Sequence, residues 1–86
     1  MCYYVYIISS EKLGRFYVGQ TKNISKRIFD HNHGMSNYTS AGIPWELECV
    51  IEKSNLKEAL ILEKKLKNLS RARKIRFIER YGLKYK

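Results

Sequence analysis

The chain has 86 residues, with 17 Lys and Arg against 8 Asp and Glu, and a formal net charge of +9. That length supports one domain over residues 1–86 and excludes a large core, since such a chain buries only about 60–65% of its unfolded surface. A content of 44% hydrophobic and 13% aromatic residues excludes disorder, and the basic balance points away from cationic partners and toward polyanions.

Residues 2–8 (CYYVYII) are dense in β-branched and aromatic side chains and predict a strand. Turn chemistry follows around Gly14, and residues 15–20 predict a second strand, making an antiparallel hairpin. Asn23 suits the cap of a short helix running to about His31. Residues 33–44 are polar and read as loop. Residues 45–53 predict a third strand, with Leu47, Cys49 and Ile51 on one face and Glu48 and Glu52 on the other. Asn55 and Glu58 resemble a capping box opening a helix to about Leu69. A last helix over residues 71–81 ends at Gly82, a residue suited to helix termination. The order β-β-α-β-α-α implies a compact α/β domain, a three-stranded, mainly antiparallel sheet flanked by helices. Cys2 and Cys49 are too few for a disulfide framework or a zinc site and read as buried free thiols. No apolar run approaches a membrane span and no leader is legible, so a cytoplasmic protein is expected.

Helical geometry singles out several polar residues. With Leu56 at zero, Ala59, Leu60 and Leu66 define an inward stripe, and Glu63 falls at about 340° within it, with Lys67 at about 20°. An inward carboxylate is costly unless paired, protonated or metal-bound. With Ile24 at zero, Ile28 lies at about 40°, Arg27 at about 300° and His31 at about 340° on the first helix. Lys26 and Asp30 face solvent. Tyr4 and Tyr6 share one face of the first strand, Tyr17 and Gly19 one face of the second. If those faces coincide, the phenols meet the inward Arg, His and Glu, and Gly19 allows a backbone or phosphate to approach closely. The plainer alternative is a buried Glu63–Arg27 ion pair with the tyrosines as core aromatics. From Glu63 to Lys86 ten basic residues face two acids, a clustered charge that suits nucleic acid.

Taken together, these segments resemble the GIY-YIG nuclease superfamily, in its small, stand-alone branch. Val5-Tyr6-Ile7 and Tyr17-Val18-Gly19 stand where the two namesake motifs do, and Arg27 and His31 match an R-x-x-x-H helix. Pro44-Trp45-Glu46-Leu47 is similar to the lead-in to the third strand. Glu63-Lys64-Lys65-Leu66-Lys67 with Ser70-Arg71 is similar to the metal-binding helix and its basic continuation. Val5 and Val18 depart from the namesake letters, and residues 75–86 lack the asparagine that many members carry.

The resemblance implies a metal-dependent endonuclease acting on nucleic-acid phosphodiesters, on DNA rather than RNA, with low sequence specificity, no membrane association and a protein partner supplying specificity. It implies catalytic roles for Tyr6, Tyr17, Arg27, His31 and Glu63, with Glu63 as ligand to one Mg²⁺ or Mn²⁺. Gly19, Lys26, Lys67, Arg71, Arg73 and Lys74 are then expected to hold nucleic acid. An ordinary phenol is only about 0.1% ionised at pH 7, and Arg27 and the metal are expected to lower the pKa of Tyr6 or Tyr17 so that it deprotonates water. The alternative is a non-catalytic basic DNA- or RNA-binding accessory module of the same fold.

Overall fold

The first strand, β1 (Tyr3–Ser10), carries Val5, Tyr6, Ile7 and Ile8 in succession, and all four are buried. Consecutive burial requires cover on both faces, which places β1 at the centre of the sheet. The computed structural model describes residues 2–83 and shows this arrangement, with strand order β2-β1-β3. Lys84 and Lys86 of the basic run lie outside the described residues. Strands β2 (Arg15–Thr21) and β3 (Trp45–Lys53) pair antiparallel with β1, so the sheet is wholly rather than mainly antiparallel. The hairpin turns through Gly14 at φ 63, whose N–H donates to the Ser10 carbonyl at 2.8 Å.

Helix α1 (Ile24–Asn32) covers one face, setting Ile24 and Ile28 against Tyr6, Ile8 and Trp45. Helices α2 (Leu56–Lys67) and α3 (Arg71–Tyr81) cover the other, closing Ala59, Leu66 and Ile78 over Val5, Ile7, Val18 and Cys49. Each helix starts on a polar side chain: Asn23, Asn55 and Ser70 accept from the N–H of Lys26, Glu58 and Arg73. Those caps satisfy orphan donors and each stabilises its helix by about 1 kcal/mol. Among the described residues no helix is long and apolar enough to cross a membrane.

Four expectations change. In β3 the pairing skips between Ile7↔Cys49 and Ile8↔Leu47, so Glu48 is the extra residue of a bulge. Alternation therefore breaks, and Leu47 packs with Tyr6 and Trp45 while Cys49 and Ile51 pack on the opposite face. On α2 the buried stripe runs through Ala59, Leu62 and Leu66, whereas Leu56 and Leu60 are 41% and 46% exposed. Glu63 thus sits on the flank of the stripe. Gly82 keeps an ordinary φ of −73, and its value is space: a Cβ there would collide with the Ile78 carbonyl and lie 2.9 Å from that of Glu48. Cys49 is buried as expected, but Cys2 is only half-buried, its thiol donating to Glu52 at 2.8 Å.

Candidate active site

The register Tyr6↔Gly19 and Ile8↔Tyr17 puts both tyrosines on the α1 face of the hairpin, with ring centroids 6.4 Å apart. Helix α1 then delivers Arg27 and His31, one turn apart, onto them. The Tyr6 hydroxyl lies 2.9 Å from His31 Nε2 and accepts from Arg27 Nε at 3.4 Å. Arg27 also interacts electrostatically with Tyr17. Tyr6 and His31 are buried, and Tyr17 is half-buried.

The residue beneath His31 is Thr39. Its hydroxyl sits 2.7 Å from His31 Nδ1 and donates to the Ser36 carbonyl at 3.5 Å. With that hydrogen committed, Thr39 accepts from His31 Nδ1–H, which leaves Nε2 as the acceptor for the Tyr6 hydroxyl. A directed chain results, from Tyr6 through His31 and Thr39 to the Ser36 carbonyl. The loop that carries Thr39 is held by Trp45, whose indole N–H donates to the Thr39 carbonyl at 2.7 Å. Asn32 in turn pins Trp45 by both of its backbone groups, at 2.6 and 3.0 Å. Neither Thr39 nor Asn32 stands out in the sequence, because loop residues and helix ends carry no periodicity; only a polar residue buried beside the histidine reveals such a role.

Burial dominates the site's electrostatics. It pushes the Tyr6 phenol up to about 12, against the pull of the Arg27 hydrogen bond and charge; Tyr17 and Glu63 add to the rise. Arg27 lowers this pKa as expected, but without a metal burial outweighs it. Burial, then the charge of Arg27, holds His31 below the usual histidine range, with Asp30 opposing. At neutral pH the pair is a neutral phenol beside a neutral imidazole.

Glu63 reaches this chemistry from the opposite helix layer. It stands on the flank of the buried α2 stripe, and its charge helps raise the Tyr6 pKa. It is paired with Lys67 at 3.0 Å rather than with Arg27, its side chain 16% and that of Lys67 53% exposed. No group of three His, Cys, Asp or Glu residues suited to a metal ion occurs among the described residues. One carboxylate that already attracts an ammonium fits a hard divalent cation that keeps most of its waters, and does not fit a closed zinc site.

Gly19 has a specific task. A Cβ there would stand 2.5 Å from the Tyr6 hydroxyl oxygen and 2.7 Å from Cζ, so the space is taken by the phenol itself and not by a phosphate. Gly19→Ala is expected to lower stability by about 1–3 kcal/mol through overpacking, measured by urea denaturation.

The basic residues divide. Lys67 and Lys74 join Tyr17 along one groove. Lys26 is exposed on the outer side of α1, paired with Asp30 at 3.0 Å. Arg71 turns away to the hairpin, donating to the Gly14 carbonyl at 2.6 Å and lying over the Phe16 ring. Arg73 is exposed on α3.

Comparison with known proteins yields a consistent set. The family model described as the GIY-YIG catalytic domain matches residues 2–76. A UPF0213 protein of Bacillus licheniformis is 39% identical, over 96% of this chain and 89% of its own. One from Halobacterium salinarum is 33% identical, over 84% and 94%. The solution NMR structure of a UPF0213 protein from Bacillus halodurans superposes with a TM-score of 0.65 at 31% identity, covering 99% of this chain and 90% of that one.

Proposed function

The chain belongs to the GIY-YIG catalytic-domain family, and on that premise we propose that it is a metal-dependent endonuclease cutting DNA with low sequence specificity. The observation that carries this reading is the directed, buried Tyr6–His31–Thr39 chain beside Arg27 and Glu63. Binding alone needs only surface cations. A buried phenol–imidazole chain costs desolvation that a phosphate-binding module has no use for.

The phenol is too weak an acid to serve as a standing base, so its proton must leave as it gains another. The attacking water gives its proton to the Tyr6 oxygen while the Tyr6 hydroxyl proton passes to His31 Nε2. The resulting hydroxide attacks phosphorus, the P–O bond to the leaving oxygen breaks as that oxygen takes a proton from solvent, and the imidazolium later returns its proton to solvent. Arg27, held to the Tyr6 hydroxyl, faces the negative charge that develops on the phosphate oxygens. Glu63 would hold one Mg²⁺ or Mn²⁺, which when bound supplies Lewis-acid polarisation of the phosphate. Lys67 must release Glu63 first, at little cost, because i,i+4 helix pairs contribute only about 0.3–0.5 kcal/mol. Free thiols at Cys2 and Cys49 suit a reducing cytoplasm.

Thr39 is the residue that sets the direction of proton flow. Thr39→Val keeps the shape but removes the acceptor for His31 Nδ1–H, and is expected to slow cleavage about tenfold or more, with Thr39→Ser restoring most of the rate. Nitrogen NMR of His31 should show Nδ1–H in the wild type and a mixed population in the valine variant.

The test of the proposal is incubation with labelled single-stranded, duplex and branched DNA and with RNA, in Mn²⁺, Mg²⁺ or EDTA. Metal-dependent cutting of DNA supports it. Binding without cutting on every substrate would leave an accessory module.

A further inference from the structure

A groove of about 580 Å³ opens beside Tyr17, floored by that ring and Trp45 and bordered by Tyr38. Three cations line it, Arg15, Lys67 and Lys74; Lys67 pairs with Glu63 at 3.0 Å and Lys74 donates to the Leu69 carbonyl at 3.0 Å. This composition differs from that of the larger groove at the hairpin's other side, of about 1130 Å³, where Glu11, Glu46, Glu48 and Glu79 mix with the basic residues. Among the described residues Tyr38 is the most solvent-exposed of the large apolar and aromatic side chains, at 86%, and its ring stands 6.0 Å from that of Tyr17. It is held at this place by its neighbour Thr39, whose buried hydroxyl and carbonyl are tied to His31 and Trp45.

We propose that Tyr38, with Lys67 and Lys74, forms a subsite for an unpaired nucleotide of the DNA strand next to the scissile phosphate. Aromatic faces beside three cations, only one of which is paired with a carboxylate, Lys67 with Glu63, suit a ligand that is both flat and anionic, which describes a nucleotide. Tyr17 belongs to both the groove and the candidate active site, so a strand with its phosphodiester at Tyr6 and Arg27 has its next nucleotide at the groove. In a duplex each base is paired and covered on both faces by its neighbours. Only a base released from that stack can lie against an exposed ring, as in single-strand binding sites that combine aromatic platforms with basic grooves. The DNA strand is therefore recognised in a single-stranded or frayed segment. This inference rests on the DNA-cleaving reading above, but its test does not require turnover.

The test is fluorescence anisotropy in EDTA with wild type, Tyr38→Ala and Tyr38→Phe. The probes are a labelled single strand, the same sequence as a closed duplex, the single strand with abasic sites, and the RNA equivalent. Thermal melts matched to wild type establish that the variants fold. Tyr38→Ala should weaken single-strand binding about tenfold and move duplex binding less than about twofold, while Tyr38→Phe retains affinity. The abasic strand should bind weakly and show no dependence on Tyr38. Equal loss on single strand and duplex, or no loss on either, would overturn the subsite, and tighter binding of the RNA strand would overturn its assignment to DNA. A selective loss in a protein that cuts nothing would leave the subsite standing and remove the nuclease reading. Cutting by wild type with single-strand affinity indifferent to Tyr38 would do the reverse.

Discussion

Glu63→Gln is expected to reduce metal-dependent cleavage at least about 10³-fold while leaving the fold intact. The carboxylate lies on the flank of α2, and its partner is the exposed ammonium of Lys67. Its loss therefore costs stability no more than about 0.5 kcal/mol. This separation makes the experiment informative: an urea midpoint within error of wild type, combined with lost cutting, assigns a chemical role. Glutamine preserves the shape and removes the charge, so divalent-ion affinity should fall with it. Isothermal titration with Mn²⁺ reads that loss without any nucleic acid. Full cleavage by the glutamine variant would rule out Glu63 as the metal ligand.

Tyr6→Phe should lower cleavage by about 10²- to 10⁴-fold, the usual contribution of positioned proton transfer. Here stability changes too. The ring volume is kept, but Arg27 Nε loses its acceptor and His31 Nε2 its donor, an expected cost of about 1–3 kcal/mol for groups left without partners. The pH profiles carry the same logic. Burial and Arg27 depress His31 below its ordinary 6.5, so the folded protein holds it neutral where the unfolded chain would protonate it. The stability it contributes is complete above pH 6.5 and is lost as pH falls through the lower folded value. Tyr6, raised from 10.0 to about 12, behaves in the opposite sense. Its contribution is complete below pH 10.0 and is lost as pH rises through about 12. Single-turnover cleavage should rise with pH through the depressed His31 value and then level, since only the neutral imidazole can accept the Tyr6 proton. A rate that climbs steadily from pH 7 to pH 10 would instead indicate phenolate formation by direct ionisation.

Much of the architecture is local chemistry. The helix starts at Asn23 and Asn55 are visible because a side-chain acceptor must precede orphan N–H groups. The pairing of Arg27 with His31 on the apolar side of α1 follows from the helical repeat, and the structure places both against Tyr6. Period-two alternation set Tyr17 and Gly19 on one face, and the register Tyr6↔Gly19 brought the two tyrosine faces together. The same periodic reasoning erred where neighbours intervened. Glu48 bulges out of β3, so a perfect alternation was the wrong rule there. Helix α2 rolls until Ala59, Leu62 and Leu66 meet the sheet, so a stripe drawn through Leu56 and Leu60 put Glu63 too far inward.

The amino-acid sequence by itself determined the order of elements, the basic character and which helices present polar residues to the sheet, since each is set by neighbours within a few positions. Only the tertiary structure decided the rest. It placed α1 and α2 on opposite faces, so that Glu63 acts from the opposite layer; it folded a polar loop until Thr39 lay under His31; and it raised Tyr6 to about 12. Burial, and with it the proton affinity of a phenol, depends on everything that surrounds the group, and residues 11 to 57 positions away supply those surroundings.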